Sequence, residues 1–282
     1  MLHKNSADFP EIAALEATAR IHRSHCHEGE MVWRIWGQGT PLVLMHGGHG
    51  SWLHWVHNIP AFSDERMVLA PDLPGHGESA LPADELSADH NAEICLAGLR
   101  EIIGDAPFDT VGFSYGGVIA GHTAALAQSQ ARHFVMVGTG GLGLTRGDKK
   151  DMINWKHMSD PVARVAAHRH NLNVLMLRGE IDELALYIQC TTLPQGRVPA
   201  KKIAFDNTLA RLLPVMHAQP TAIWGEHDAT VGSYMHEREA MLGALPRPVP
   251  IHIIEAVGHW VQYEAAEEFN ALLREVLAQP GH

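Results

Sequence analysis

Cysteine is scarce in this chain: Cys26, Cys95 and Cys190 are the only three among 282 residues, and no two form a Cys-x-x-Cys pair. A set that is sparse and odd argues against a disulfide framework and fits a reducing compartment. Positive charge is also short. Lys and Arg total 21 against 32 Asp and Glu, a net charge of −11 with histidine neutral. No run of five or more basic residues appears, so the chain lacks the cationic face that nucleic-acid binders need to displace counterions, and no nucleic-acid partner is expected. No apolar stretch approaches the roughly 20 residues that a membrane-spanning helix requires. Met1 to Asp8 carry no apolar signal core. The expectation is a cytoplasmic protein with no membrane partner. Histidine is abundant at 21. His46-x-x-His49 and His54-x-x-His57 have ligand-like spacing, but the His-Glu-x-x-His of helical zinc sites is missing. Glycines on both sides of His49 suit backbone donors better than a rigid ligand set, and neither a metal nor a cofactor is expected.

Hydrophobic residues make up 46% and charged residues 19%, ordinary values for an enzyme of this size. The pattern is one of strands alternating with helices. A helical arm is expected over Phe9 to Arg20, and residues 22 to 36 hold two candidate strands, the second Met31–Trp36. Pro41–His46 is a continuous apolar run, as in a parallel strand buried on both faces. Further strands are expected at Met67–Asp72, Phe108–Val111, His133–Val137, Thr221–Gly225 and Val249–Ile254, with helices at Ser87–Ile103, Gly117–Leu126 and Ala265–Leu277. Between 141 and 213 the strand rhythm stops. The fold class that follows is α/β, a mostly parallel sheet with right-handed crossovers and a helical insertion. The expected domains are a core of residues 20–140 and 214–282, a helical cap of 141–213 and an N-terminal arm of 1–19. Trp33, Trp52 and Trp55 are expected to cluster in the core or in a pocket wall.

Gly112-Phe113-Ser114-Tyr115-Gly116 occupies one strand-to-helix junction. A serine between glycines at such a turn is held out of the sheet edge, its hydroxyl free to attack. A serine hydroxyl is a weak nucleophile near neutral pH and needs a base, and the base needs an orienting acid. Downstream, Asp228 in Trp224-Gly225-Glu226-His227-Asp228 and His259 in Val257-Gly258-His259-Trp260 each follow a predicted strand, where catalytic groups of open α/β sheets collect. Glu226 is the rival acid. His46-Gly47-Gly48-His49-Gly50 follows a strand as well. The N–H of Gly48 and the N–H of Tyr115 are the expected oxyanion donors.

The ordered set His46-Gly47-Gly48, Asp72-Leu73-Pro74-Gly75-His76-Gly77-Glu78-Ser79, the serine turn, Trp224-Gly225-x-x-Asp228 and Gly258-His259 resembles the α/β-hydrolase superfamily over almost the whole chain. That resemblance implies an eight-stranded sheet with a cap, a small-molecule substrate, no cofactor, and a dimer or larger homo-oligomer. Gly258-His259-Trp260-Val261-Gln262-Tyr263-Glu264 with Glu268-Phe269-Asn270 is similar to the C-terminal signature of meta-cleavage product hydrolases, which split a C–C bond in vinylogous 1,5-diketones. The likeness implies that Arg197, in Gln195-Gly196-Arg197, binds a substrate carboxylate, and that Trp260 lines the pocket. Phe113, Gly47 and His49 are further expected substrate contacts. Phe113 stands where that family usually has Asn, and Tyr115 where it has Met. Ester, thioester and lactone hydrolysis therefore stay open beside C–C cleavage, as does a ligand-binding protein that retains the fold without turnover. Ser114, in contrast to the Asp of dehalogenases and epoxide hydrolases, excludes those two chemistries.

Overall fold

The computed structural model describes residues 4–82, 87–148, 151–198 and 200–280. Residues 1–3 of the expected arm, and 149–150 and 199 of the expected cap, lie outside that set. Eight strands form one sheet in the order β1-β2-β4-β3-β5-β6-β7-β8. They are β1 (Arg20–Cys26), β2 (Gly29–Trp36), β3 (Pro41–Met45), β4 (Met67–Pro71), β5 (Phe108–Phe113), β6 (Ala131–Val137), β7 (Gln219–Gly225) and β8 (Ile251–Ile254). β2 pairs antiparallel with β1 and β4, and every other pairing is parallel. Every residue of β3 and β5 is buried, as a central strand covered on both faces must be.

Alternation along these strands divides the apolar residues between two cores. Leu42, Leu44, Val111 and Phe113 face one core with the C-terminal helix Ala266–Ala278. Val43 and Met45 face the other with the helices Ala88–Ile103 and Tyr115–Ala127. The first of those two helices is capped by Ser87, whose side chain accepts the His90 N–H, and ends at Gly104 with φ 59°. Trp33 belongs to one core and Trp52 and Trp55 to the other, so the expected three-tryptophan cluster is split by the sheet. At the amino end of β5, buried Asp109 receives hydrogen bonds from Arg66, Arg132 and His133 (His133 Nδ1 at 2.8 Å).

Between β6 and β7 lie the helices Pro161–Leu175, Glu183–Thr192, Ala200–Ala204 and Thr208–Leu212, with no strand among the described residues. Asp160 caps the first through the N–H groups of Val162 and Ala163, with Pro161 in its first turn. This insertion rests on loops at the carboxyl ends of the strands. Arg197 N–H donates to Gly75 O at 3.0 Å, and Trp260 N–H to Met176 O at 2.8 Å.

Candidate active site

β5 ends at Phe113, the helix begins at Tyr115, and Ser114 between them has φ 52° and ψ −115°. A non-glycine residue in so sparsely populated a region carries roughly 1–3 kcal/mol of strain that surrounding contacts must hold. Here Ser114 N–H donates to Val137 O at 2.8 Å, and Ser114 O accepts the Gly117 N–H at 3.1 Å. The flanking glycines are required by close approach. A Cβ on Gly112 would lie 2.4 Å from Gly116 O, and one on Gly116 would lie 2.2 Å from His46 O. Ser114 stays partly exposed between buried Phe113 and Tyr115.

Asp228 and His259 follow β7 and β8, and both are buried. His259 Nδ1 donates to Asp228 Oδ2 at 2.7 Å. The other Asp228 oxygen accepts the Thr230 N–H at 2.8 Å and the Thr230 hydroxyl at 2.7 Å. Burial pushes the Asp228 carboxyl upward, but His259 and the two Thr230 bonds outweigh it and hold the group below its ordinary value. With Nδ1–H committed to Asp228, the remaining ring nitrogen carries the lone pair, the tautomer a general base needs. Glu226 takes no part in this pair. It is exposed and accepts the Ala256 N–H at 2.9 Å.

Two contacts bring His259 to the serine turn. Its ring lies 4.8 Å from that of Phe113. Gly138, which follows the Val137 that holds Ser114, is so close that a Cβ there would lie 3.0 Å from the His259 ring and 3.2 Å from Asp228 Oδ2. Among the described residues the Ser114 hydroxyl makes no hydrogen bond, and in unliganded enzymes that contact commonly tightens only with substrate.

The glycine loop after β3 is set by histidines whose roles are not readable from spacing. His46 Nδ1 donates to Gly47 O at 2.7 Å, and His46 Nε2 accepts the Leu73 N–H at 2.9 Å, which leaves no lone pair for a metal. His54 Nδ1 accepts the Gly47 N–H at 3.2 Å. Gly47 therefore gives its donor to the protein. Gly48 and His49 are half-buried, and His49 has φ 57°. Gly196 of the insertion sits on His49, where a Cβ would come within 2.2 Å of its Nδ1. His76 Nδ1 lies 3.1 Å from Pro74 O. Burial holds His54 and His76 well below the ordinary value. Asp72 anchors its motif by accepting from the Trp52 N–H, Arg34 and the Glu78 N–H, each at 3.1 Å.

Trp260 and Arg197, the other two expected substrate contacts, each make a hydrogen bond to the protein. Trp260 is fully buried, stacks on Tyr263 at 4.2 Å and donates its Nε1–H to His54 O at 3.1 Å. Arg197 is exposed, and its guanidinium donates to Ser79 O. A cavity of about 530 Å³ opens beside the site, lined by Met176, Arg178, Asp228 and Gly258 among others, with neither Ser114 nor His259 in its wall.

Residues 42–272 match the family model described as the alpha/beta hydrolase family. The chain belongs to this family. It is 31% identical over 245 residues to the dihydrolipoyllysine-residue acetyltransferase component of the acetoin cleaving system of Pseudomonas putida, a match that takes in 82% of this chain but 62% of that protein's length, less than two thirds. It is 26% identical over 294 residues to a 2-hydroxymuconate semialdehyde hydrolase of Pseudomonas sp. (strain CF600), covering 96% of this chain and 95% of the relative. An esterase from Rhodococcus sp. ECU1013 superposes with a TM-score of 0.74 over 93% of this chain and 99% of the other at 20% identity, a likeness of fold. By family this alpha/beta hydrolase is a hydrolytic enzyme, and its resemblance to meta-cleavage product hydrolases extends along nearly its full length. No helix among the described residues is long and apolar enough to cross a membrane.

Proposed function

We propose that this hydrolase uses Ser114 as nucleophile, His259 as general base and Asp228 as its orienting acid, on a small-molecule carbonyl substrate. The observation that carries the reading is the 2.7 Å bond from His259 Nδ1 to Asp228, formed beside a serine in strained backbone. The unprotonated His259 nitrogen removes the hydroxyl proton as Ser114 Oγ attacks the carbonyl carbon. The oxyanion is met by the N–H of Gly48 and that of Tyr115, which opens a helix and so has no intrahelical acceptor. Collapse breaks the bond to the leaving group, which takes the proton from His259. Water, activated by the same histidine, then attacks the acyl-serine, releasing the acid and regenerating the hydroxyl. Residues 141–213 act as a cap over this site, and the working compartment is the cytoplasm.

The substrate class we propose is a ring-cleavage dienoate split at a C–C bond, with ketonisation of the dienol before attack. The end-to-end match to the semialdehyde hydrolase supports it. Carboxylic ester hydrolysis is the second reading, favoured by one observation: the Arg197 guanidinium is already spent on the Ser79 carbonyl. Turnover of 2-hydroxy-6-oxo-hexa-2,4-dienoates is to be compared with that of short p-nitrophenyl esters, in wild type and Arg197→Ala. C–C cleavage predicts a larger kcat/KM on dienoates and a loss in the variant. A preference for esters by several decades, unmoved by Arg197→Ala, contradicts it.

A further inference from the structure

Glu264 lies 5 residues after His259 and joins two parts of the chain that are far apart in sequence. Its Oε1 accepts the N–H of Arg178 at 2.7 Å and that of Gly179 at 2.5 Å. Its Oε2 accepts the N–H of Gly258, the residue before His259, at 2.7 Å. On the other side of His259, Trp260 N–H donates to Met176 O at 2.8 Å. The backbone flanking His259 is thus tied to residues 176–179, through Glu264 at Gly258 and directly at Trp260; these residues follow the insertion helix Pro161–Leu175. The two segments touch closely: a Cβ on Gly258 would lie 2.9 Å from Met176 O and 3.1 Å from the Arg178 nitrogen. Three N–H groups converging on one side chain call for a group that only accepts. A carboxylate offers two such oxygens with about four lone-pair sites, whereas an amide turns one of them into a donor facing a donor.

We propose that Glu264 is a positioning residue that fixes the backbone of His259 against the insertion and so couples the placement of the general base to the placement of the insertion. The proposal rests on the Ser114–His259–Asp228 reading. A general base displaced by about 1 Å is expected to lose on the order of a hundredfold in rate.

The test uses the full chain as wild type, Glu264→Gln and Glu264→Ala, with thermal melting, kcat and KM on a p-nitrophenyl ester, and the rate of Ser114 labelling by a fluorophosphonate. Glu264→Ala is expected to lower kcat and the labelling rate about a hundredfold. Glu264→Gln, which keeps one oxygen and the side-chain volume, should fall between it and wild type, and KM should move less than about threefold in both. Lower melting temperatures with unchanged kcat and labelling rate in folded variants would make Glu264 structural only and overturn the proposal. Should neither variant fold, hydrogen exchange in wild type decides. Phosphonylation of Ser114 should slow exchange at Gly258, Arg178 and Gly179 together, and a change confined to Gly258 overturns the coupling. A wild type that resists labelling refutes the triad, whereas a labelled wild type with equally reactive variants refutes this inference alone.

Discussion

Acidification should destabilise this protein well above the pH range in which its carboxylates titrate. Hydrogen-bond accounting makes His46 and His54 beside the glycine loop neutral. His54 must keep a lone pair at Nδ1 for the Gly47 N–H, and His46 must keep one at Nε2 for the Leu73 N–H. Burial holds His54 and His76 well below the 6.5 of a free histidine and moves His46 in the same direction. As pH falls below 6.5 the unfolded chain takes up protons at these sites before the folded chain does. Stability therefore rises with pH through this window and is lost as pH falls. At about pH 5.5 a free histidine is roughly 90% protonated, so each site can lower stability by at most about 1.3 kcal/mol relative to pH 7. His54 and His76 together can account for at most about 2.5 kcal/mol, against a total of about 5–15 kcal/mol for a typical domain. At about 2–4 °C per kcal/mol this is a fall of at most about 5–10 °C in Tm. The carboxylates act lower. Asp228 and Asp109 are held below their ordinary 3.8, so their contributions are present above that value and fade only as pH falls through the folded-state values. Urea unfolding followed by tryptophan fluorescence from about pH 7.5 to 5.5 measures the slope, each proton being worth about 1.4 kcal/mol per pH unit. His54→Gln keeps an acceptor for Gly47 but does not titrate, and should flatten the slope by about one proton. Stability that is level across this range, or a variant with the wild-type slope, would refute the neutral-histidine argument.

Three other outcomes are expected. Asp228→Asn should retain the fold and lower kcat by about 10⁴ by presenting the wrong His259 tautomer; ester turnover within tenfold of wild type would contradict it. Asp109→Ala leaves Arg66, Arg132 and His133 without their shared buried anion and should cost about 3–5 kcal/mol. Because Asp109 lies at the end of β5 away from Ser114, the folded fraction should label normally; urea unfolding and active-site titration separate the two effects. Gly116→Ala drives a methyl group to within 2.2 Å of His46 O and should displace the serine turn, lowering the labelling rate at least about a hundredfold. An unchanged rate would show that the turn tolerates a side chain.

The elements that the sequence predicts best are those whose residues all face one kind of environment. Pro41–Met45 is buried on both faces and reads as an uninterrupted apolar run. β1 is an edge strand, exposed at Arg20, Ile21 and Arg23, so its start at Arg20 has no apolar marker. β8 begins at Ile251, where pairing with Ala222 starts, because Pro250 before it has no N–H to give the ladder. The serine turn is legible because glycine, serine and strand must coincide there. Arg197 and Trp260 look like substrate contacts in sequence, and their hydrogen bonds to Ser79 and His54 appear only once distant segments are brought together. The same holds for Glu264, whose partners Arg178 and Gly179 lie 86 and 85 residues away, and for His54, whose role depends on one ring nitrogen meeting one backbone N–H.

The most direct test is peptide mapping after fluorophosphonate treatment. A single adduct on Ser114 in wild type, absent in Ser114→Ala and formed at least about a thousandfold more slowly in His259→Ala, is the predicted result. An adduct on another residue, or equal labelling of Ser114 with His259 removed, would contradict the assignment of these side chains as one catalytic unit.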